Sequence, residues 1–290
     1  AALSSTALRA YTPRAPRRPD GRNRLSPGPG GMVVIVEFGS VGVSGPGLQA
    51  GSGGGVVYFL SRQYSKIPTT WISQVPRSPT ISLFKYPIID VDHLAYTIMR
   101  DRNPCDFPAL KKALKKTTFL VPLTDAVTGQ TVYMRVPTDQ SLYELVRVAG
   151  DVPFVAGNPL PFGKQRYFDG DYGSTTEDLA RHALRLGATK IVIIESNPEK
   201  NSFIRTAYRP LAKLAKRYKH AGLARALLRE REPLRPFIPP KHVSVAFITP
   251  SKHNPASLLD KKNKHIRAAF DLGYDDAVNH PRLEEFLGTP

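Results

Sequence analysis

The stretch YFDGDYGSTTEDLARHALRLGATKIVIIESNP, Tyr167 to Pro198, decides the fold class. Thr175 stands three positions before Asp178, the spacing of a capping box, so a helix begins there. Leu179, Ala183 and Leu186 give that helix an apolar stripe, and Gly187 ends it. KIVIIES then reads as a strand buried on both faces, the habit of parallel strands. Strand, helix and strand in that order predict an α/β sheet. Ahead of the helix, Asp169 sits at a strand end on a tight turn with Gly170, and Asp171 follows at once. Two roles suit such a carboxylate: a general base that polarises a hydroxyl, or a cap for the following helix.

Working outward, TTFLVPLTDAVTGQTVYMRV (117–136) reads as a hairpin whose Gly129 takes positive φ at the turn. SLYELVRVAG (141–150) is a helix capped by Ser141, with Leu142, Leu145 and Val146 on one face. PIIDVDHLAYTIM (87–99) is a turn and then a helix, with Asp90 as the cap. MVVIVEF (32–38) is a β-branched buried strand, followed by the glycine-dense GSVGVSGPGLQAGSGGG (39–55) and by VVYFLSRQYSK (56–66). Pro210 opens a basic helix that reaches about Arg231 before Pro233 stops it. VSVAFITP (243–250) is another buried strand, and residues 259–279 form a closing pair of helical segments. Trp71, near several prolines, reads as part of a packed loop.

The chain has 290 residues and 41% apolar residues, enough for one large core plus some unfolded sequence. Residues 1–31 are rich in Arg, Pro, Ser and Gly and are expected to form a disordered tail. Their acid-poor, Arg-rich character is that of an organelle transit peptide, although prolines break any amphipathic helix. No apolar run reaches the roughly 18–20 residues that span a bilayer. Cytoplasmic or peripheral-membrane residence is therefore the expectation. A single cysteine, Cys105, excludes an internal disulfide framework and a cysteine-built zinc site. The seven histidines show no metal-ligand spacing. GSGGG lacks the Gly-Lys-Ser/Thr ending of a nucleotide loop.

The net charge of +17 is concentrated in two places. Six arginines in the first thirty residues face only Asp20, and twelve Lys/Arg between Lys200 and Lys241 face Glu230 and Glu232. Such a surface attracts phosphates, on lipid head groups or on nucleic acid, or it is simply a solvated helix face. No aromatic-rich RNA-binding motif accompanies the charge, so nucleic acid is the less expected partner.

The Asp-Gly block resembles that of the patatin-like phospholipases, in which a tyrosine-rich strand leads to Asp-Gly-Gly or Asp-Gly-Ala, a helix ending in Leu-Gly-Ala, and an apolar strand. VRVAGDVPFV (146–155) sits where that family has a short Ala-Ser-x-x-x-Pro motif. FLVPLTDAVTGQTVYM resembles its ATD…TG hairpin, and ITPSKHNPASLLDKKNKHIRAAFDLGYDDAV (248–278) the closing region of its bacterial branch. The likeness runs from about Val56 to the C-terminus. It implies one domain over 32–290, a three-layer α/β/α fold with a mainly parallel central sheet, and a Ser–Asp dyad without metal or cofactor. The dyad would cleave lipid or phospholipid esters, with Asp169 as its base. Asp171 departs from the family's Gly or Ala and adds a charge beside that base.

The nucleophile region departs further. GVSGPGLQA (42–50) resembles the family's Gly-Val-Ser-Ala-Gly-Ala-Leu-Asn-Ala and nominates Ser44, with Pro46 in place of the second elbow glycine. Counting back from VVYFLSRQ instead lays GLQAG on the elbow and puts Gln49 at the serine position, which describes an inactive relative. Ser52, in AGSGG, is a third candidate. For the oxyanion, VIVEFGSVG offers Gly39 and Gly42, directly against the proposed elbow. The expectation is therefore a patatin-like lipid acyl hydrolase using Ser44 and Asp169, its basic segment resting on anionic membrane. The alternative is a catalytically inactive patatin-like protein serving as a basic binding or assembly module.

Overall fold

The computed structural model describes residues 31–37, 55–77, 89–153, 159–195, 202–217, 220–229, 237–256, 260, 262–281, 283 and 286. For 31–37, 171, 195, 202–208 and 229 it describes the backbone. Of the proposed tail over 1–31, residues 1–30 lie outside the described residues and Gly31 begins a strand; of the glycine-dense segment 39–55, residues 39–54 lie outside them and Gly55 begins a helix.

The described residues are α/β, built on two sheets. The first has three parallel strands in the order β1 (Gly31–Glu37), β6 (Ala188–Glu195), β7 (Ser244–Ile248). The KIVIIE run of β6 is central because it is apolar on both sides. Ile191 and Ile193 pack with Ala180, Ala183 and Val243, while Val192 packs with Ala246, Ile248 and Phe286 on the opposite face. Helix α6 (Thr176–Arg185) supplies the two alanines, which let it lie close against the sheet.

The second sheet has four strands, ordered β3 (Thr131–Arg135), β2 (Leu120–Asp125), β5 (Gln165–Asp169), β4 (Leu160–Phe162), and every pairing in it is antiparallel. This corrects the expectation of a mainly parallel central sheet: parallel pairing is confined to the smaller sheet. Short connections bring the antiparallel arrangement about. The β2–β3 hairpin closes over Asp125 to Gln130, with Gly129 at φ +73°, and two residues join β4 to β5 with Gly163 at φ +63°. In β5, Tyr167 enters one core cluster and Phe168 another, the alternation of a strand covered on both faces.

The first of those clusters is formed with α1 (55–60), α3 (His93–Arg102), α4 (Phe107–Leu114) and α5 (Ser141–Ala149), through Tyr58, Leu94, Met99, Leu110, Leu142 and Tyr143. Tyr58 donates its hydroxyl proton to the Asn103 carbonyl at 2.8 Å, and the Tyr143 hydroxyl accepts from the Cys105 N–H at 2.9 Å. Trp71 belongs to a helical stretch, α2 (Lys66–Pro68) continuing over Thr69–Gln74, not to a loop. The Phe168 cluster is closed by α7 (Ser202–Arg217) and α8 (Ala221–Arg229) through Ala212, Ala215, Leu223, Ala224 and Leu227. Pro210 thus lies inside α7 rather than opening a helix, and the basic segment is two helices, not one. In place of the pair of helical segments expected over 259–279, the described residues form one helix, α9 (Asn263–Val278).

Candidate functional site

Asp169 is the last residue of β5 and is completely buried. Three contacts fix its backbone. Its N–H donates to the Asp151 carbonyl at 3.0 Å, and its own carbonyl accepts the Thr124 hydroxyl at 2.7 Å. Across the ladder it pairs with Leu123 of β2.

Gly170 follows in a tight turn over Gly170–Tyr172. A Cβ on Gly170 would lie 2.3 Å from the Pro122 carbonyl oxygen, so only glycine lets the chain turn this close to β2. Its carbonyl accepts the Gly173 N–H at 3.0 Å, which closes the turn.

The helix that follows does not use Asp169 as its cap. Thr175 is the N-cap of α6: its hydroxyl accepts the Asp178 N–H, and the Asp178 carboxylate accepts the Thr175 N–H, both at 3.2 Å. The capping box read from sequence is present. Of the two roles open to Asp169, capping α6 is therefore removed. The Asp171 side chain, expected to add charge beside the base, lies outside the described residues.

The second carboxyl at this position escaped the sequence reading. Asp151 follows the C-terminus of α5, donates its N–H to the Val148 carbonyl at 3.1 Å, and is completely buried. Neither of its carboxylate oxygens has a hydrogen-bond partner among the described residues. Burial pushes its pKa up to about 8; the Arg147 guanidinium and the Leu160 amide pull it down, and Asp92 adds to the rise. Arg147 is itself engaged by Asp92 in an ion pair at the surface. The available sign was an aspartate between Gly150 and an apolar VPFV, with no basic residue following it at once.

Ser44, Ser52 and Gln49, and the oxyanion candidates Gly39 and Gly42, lie outside the described residues. Strand β1 ends at Glu37, in register with Glu195 of β6, so the glycine-dense segment leaves from the C-terminal edge of the parallel sheet. Among the described residues, no group of three or more His, Cys, Asp or Glu side chains is placed to hold a metal ion.

A second cluster ties the two sheets together. Tyr133 of β3 stacks on His182 of α6 with ring centroids 3.7 Å apart and planes 4° from parallel. Burial, and then Arg185, hold the His182 pKa below its ordinary value, so the ring is neutral near pH 7. Its place on the outer strand of one sheet and the helix of the other suits a structural tie.

No protein-family model, curated protein or solved structure matches the chain.

Proposed function

We propose that the chain is a patatin-like serine acyl hydrolase that cleaves lipid or phospholipid esters, with Asp169 as the base of a Ser–Asp dyad. The observation that carries this reading is the Asp-Gly turn. A wholly buried aspartate is fixed at a strand end, and the helix behind it brings its own cap. A carboxylate that is not needed as a cap, yet is held on both sides by backbone bonds, is preorganised for a proton transfer.

The nucleophile comes from the glycine-dense segment after β1, with Ser44 as the residue expected. The C-terminal edge of a parallel sheet is where α/β proteins place their ligands, and that segment leaves from it. In the reaction, the serine hydroxyl gives its proton to Asp169 as its oxygen attacks the ester carbonyl. The alcohol leaves with a proton returned from Asp169, and water repeats the steps on the acyl-enzyme. Backbone N–H groups at Gly39 and Gly42 would receive the oxyanion, each worth about 3–4 kcal/mol of transition-state stabilisation.

The substrate surface is anionic membrane, reached peripherally through α7 and α8. Arg209, Lys213, Lys216 and Arg217 are exposed on α7 and Arg225 on α8, with Leu214 and Leu228 exposed among them. Cations interleaved with leucines suit a helix pair resting in a lipid interface. Among the described residues no helix is long and apolar enough to cross a membrane.

The test is hydrolysis of short-chain and phospholipid esters by the full chain, with and without Ser44→Ala and Asp169→Asn. Loss of at least a hundredfold in kcat/KM with either variant supports the dyad. Absence of hydrolysis by the parent chain favours the inactive binding module.

A further inference from the structure

Asp151 is a carboxyl whose burial opposes the ionised form more than its described neighbours favour it. Both oxygens are enclosed and lack a hydrogen-bond partner among the described residues. Among the described residues, the charged groups that act on it are Arg147 and Asp92. Arg147, one turn earlier on α5, turns to Asp92 at the N-terminus of α3, and that pair lies nearer the surface. From β4, among the described residues, comes the Leu160 amide, which favours the ionised carboxyl. From β5 comes Asp169, whose N–H is bonded to the Asp151 carbonyl. A dry carboxylate with little beyond the Leu160 amide to receive its charge is costly, whereas the protonated acid is tolerated.

We infer that Asp151 is a positioning residue for Asp169: a neutral, proton-carrying acid behind the strand end, whose deprotonation loosens that strand end. While it is neutral, the backbone hydrogen bond between the two residues stays in place and Asp169 keeps its aim. Once Asp151 loses its proton, the new charge must reach water or a donor. The Asp151 segment shifts, and the bond from the Asp169 N–H to the Asp151 carbonyl opens. Only the consequence for turnover rests on the hydrolase reading; the position and protonation of Asp151 do not.

Two spectroscopic readouts on the full chain test this without any substrate. The infrared carbonyl stretch of a protonated carboxylic acid is expected at neutral pH, disappearing reversibly near pH 8. In ¹⁵N-labelled protein, the Asp169 amide shift should titrate with the same midpoint, and Asp151→Asn should abolish both signals. The third readout is activity. Above about pH 8 the parent kcat/KM should fall about tenfold per pH unit, and Asp151→Asn should remove that alkaline limb while keeping neutral activity within a few-fold.

No acid band in the parent chain at neutral pH overturns the proposal, even where the variant does not fold. So does an Asp169 amide that titrates identically in Asp151→Asn. A parent chain that hydrolyses no ester removes the hydrolase reading, while the infrared and amide titrations still decide the place of Asp151.

Discussion

Gly170 owes its place to a neighbour and not to its own dihedral angles. It is absent from the residues at positive φ, yet a methyl group on it would meet the Pro122 carbonyl at 2.3 Å. Backbone atoms cannot yield as a flexible side chain does, so Gly170→Ala is expected to cost about 1–3 kcal/mol. It should also displace the Asp169 end of β5, and urea denaturation with amide exchange at Asp169 measures both effects. Asp151 makes a prediction of opposite character. Between about pH 4 and about pH 8 the native state keeps a proton that the unfolded chain has released. Stability should therefore fall as pH rises through that window and level off above it, by on the order of 6 kcal/mol in all. Asp151→Asn should flatten this slope, so that the variant gains on the parent as pH rises; urea midpoints at a series of pH values read it directly. Cys105 is buried, and burial raises its thiol pKa to about 11, so it should resist alkylation until the chain unfolds.

At the scale of elements, local chemistry was legible wherever it acted alone. The Gly129 hairpin, the Thr175–Asp178 capping box, the Gly187 stop and the apolar β6 all follow from short-range pattern. Asp90 likewise accepts the His93 N–H at 2.8 Å, as its place before α3 predicts. What the pattern could not give was decided by contacts distant in sequence. At α5 the acceptor is Asp139, which takes the Ser141 N–H at 2.9 Å, so an upstream carboxylate does the work expected of the Ser141 hydroxyl. Pro210 is tolerated inside α7 because it is exposed there and interrupts the helical ladder at the surface. The packing of α8 on the β2–β3 hairpin depends on two glycines far apart in the chain. A Cβ on Gly222 would lie 2.2 Å from the Ala126 carbonyl oxygen, and one on Gly129 would lie 2.2 Å from that of Gly222. Arg225 adds a bond from its guanidinium to the Val127 carbonyl at 2.9 Å. Gly222→Ala should therefore lift α8 from the hairpin, raise amide exchange in both, and destabilise by about 1–3 kcal/mol. Thr175→Ala, by contrast, should cost about 1 kcal/mol and fray only the start of α6.

For the whole molecule, composition announced a basic surface, and the structure puts the described part of its 200–241 concentration on two adjoining helices. Their charge makes binding to anionic vesicles steeply salt-dependent, while neutral vesicles should bind weakly at any ionic strength. Reversal of Lys213, Lys216 and Arg217 to glutamate should abolish the preference without unfolding the chain, since all three are exposed. Equal co-sedimentation with neutral and anionic vesicles at low salt would remove the lipid-surface reading. The class of fold was legible from the strand–helix–strand order, but its division into a parallel and an antiparallel sheet was not. The hairpin announced one antiparallel pair, but which strands join which sheet is set by connections and long-range pairing that local pattern does not carry. Of the two buried aspartates at the end of β5, Asp169 announces itself by its turn. Asp151 did not, since its meaning comes from being enclosed.

The most direct measurement is labelling of the folded full-length chain with a fluorophosphonate, mapped by peptide mass spectrometry. The account predicts one modified serine in the segment after β1, Ser44, in the parent chain, and loss of that label in Asp169→Asn. A folded chain in which no serine is labelled, or a label indifferent to Asp169→Asn, would contradict it.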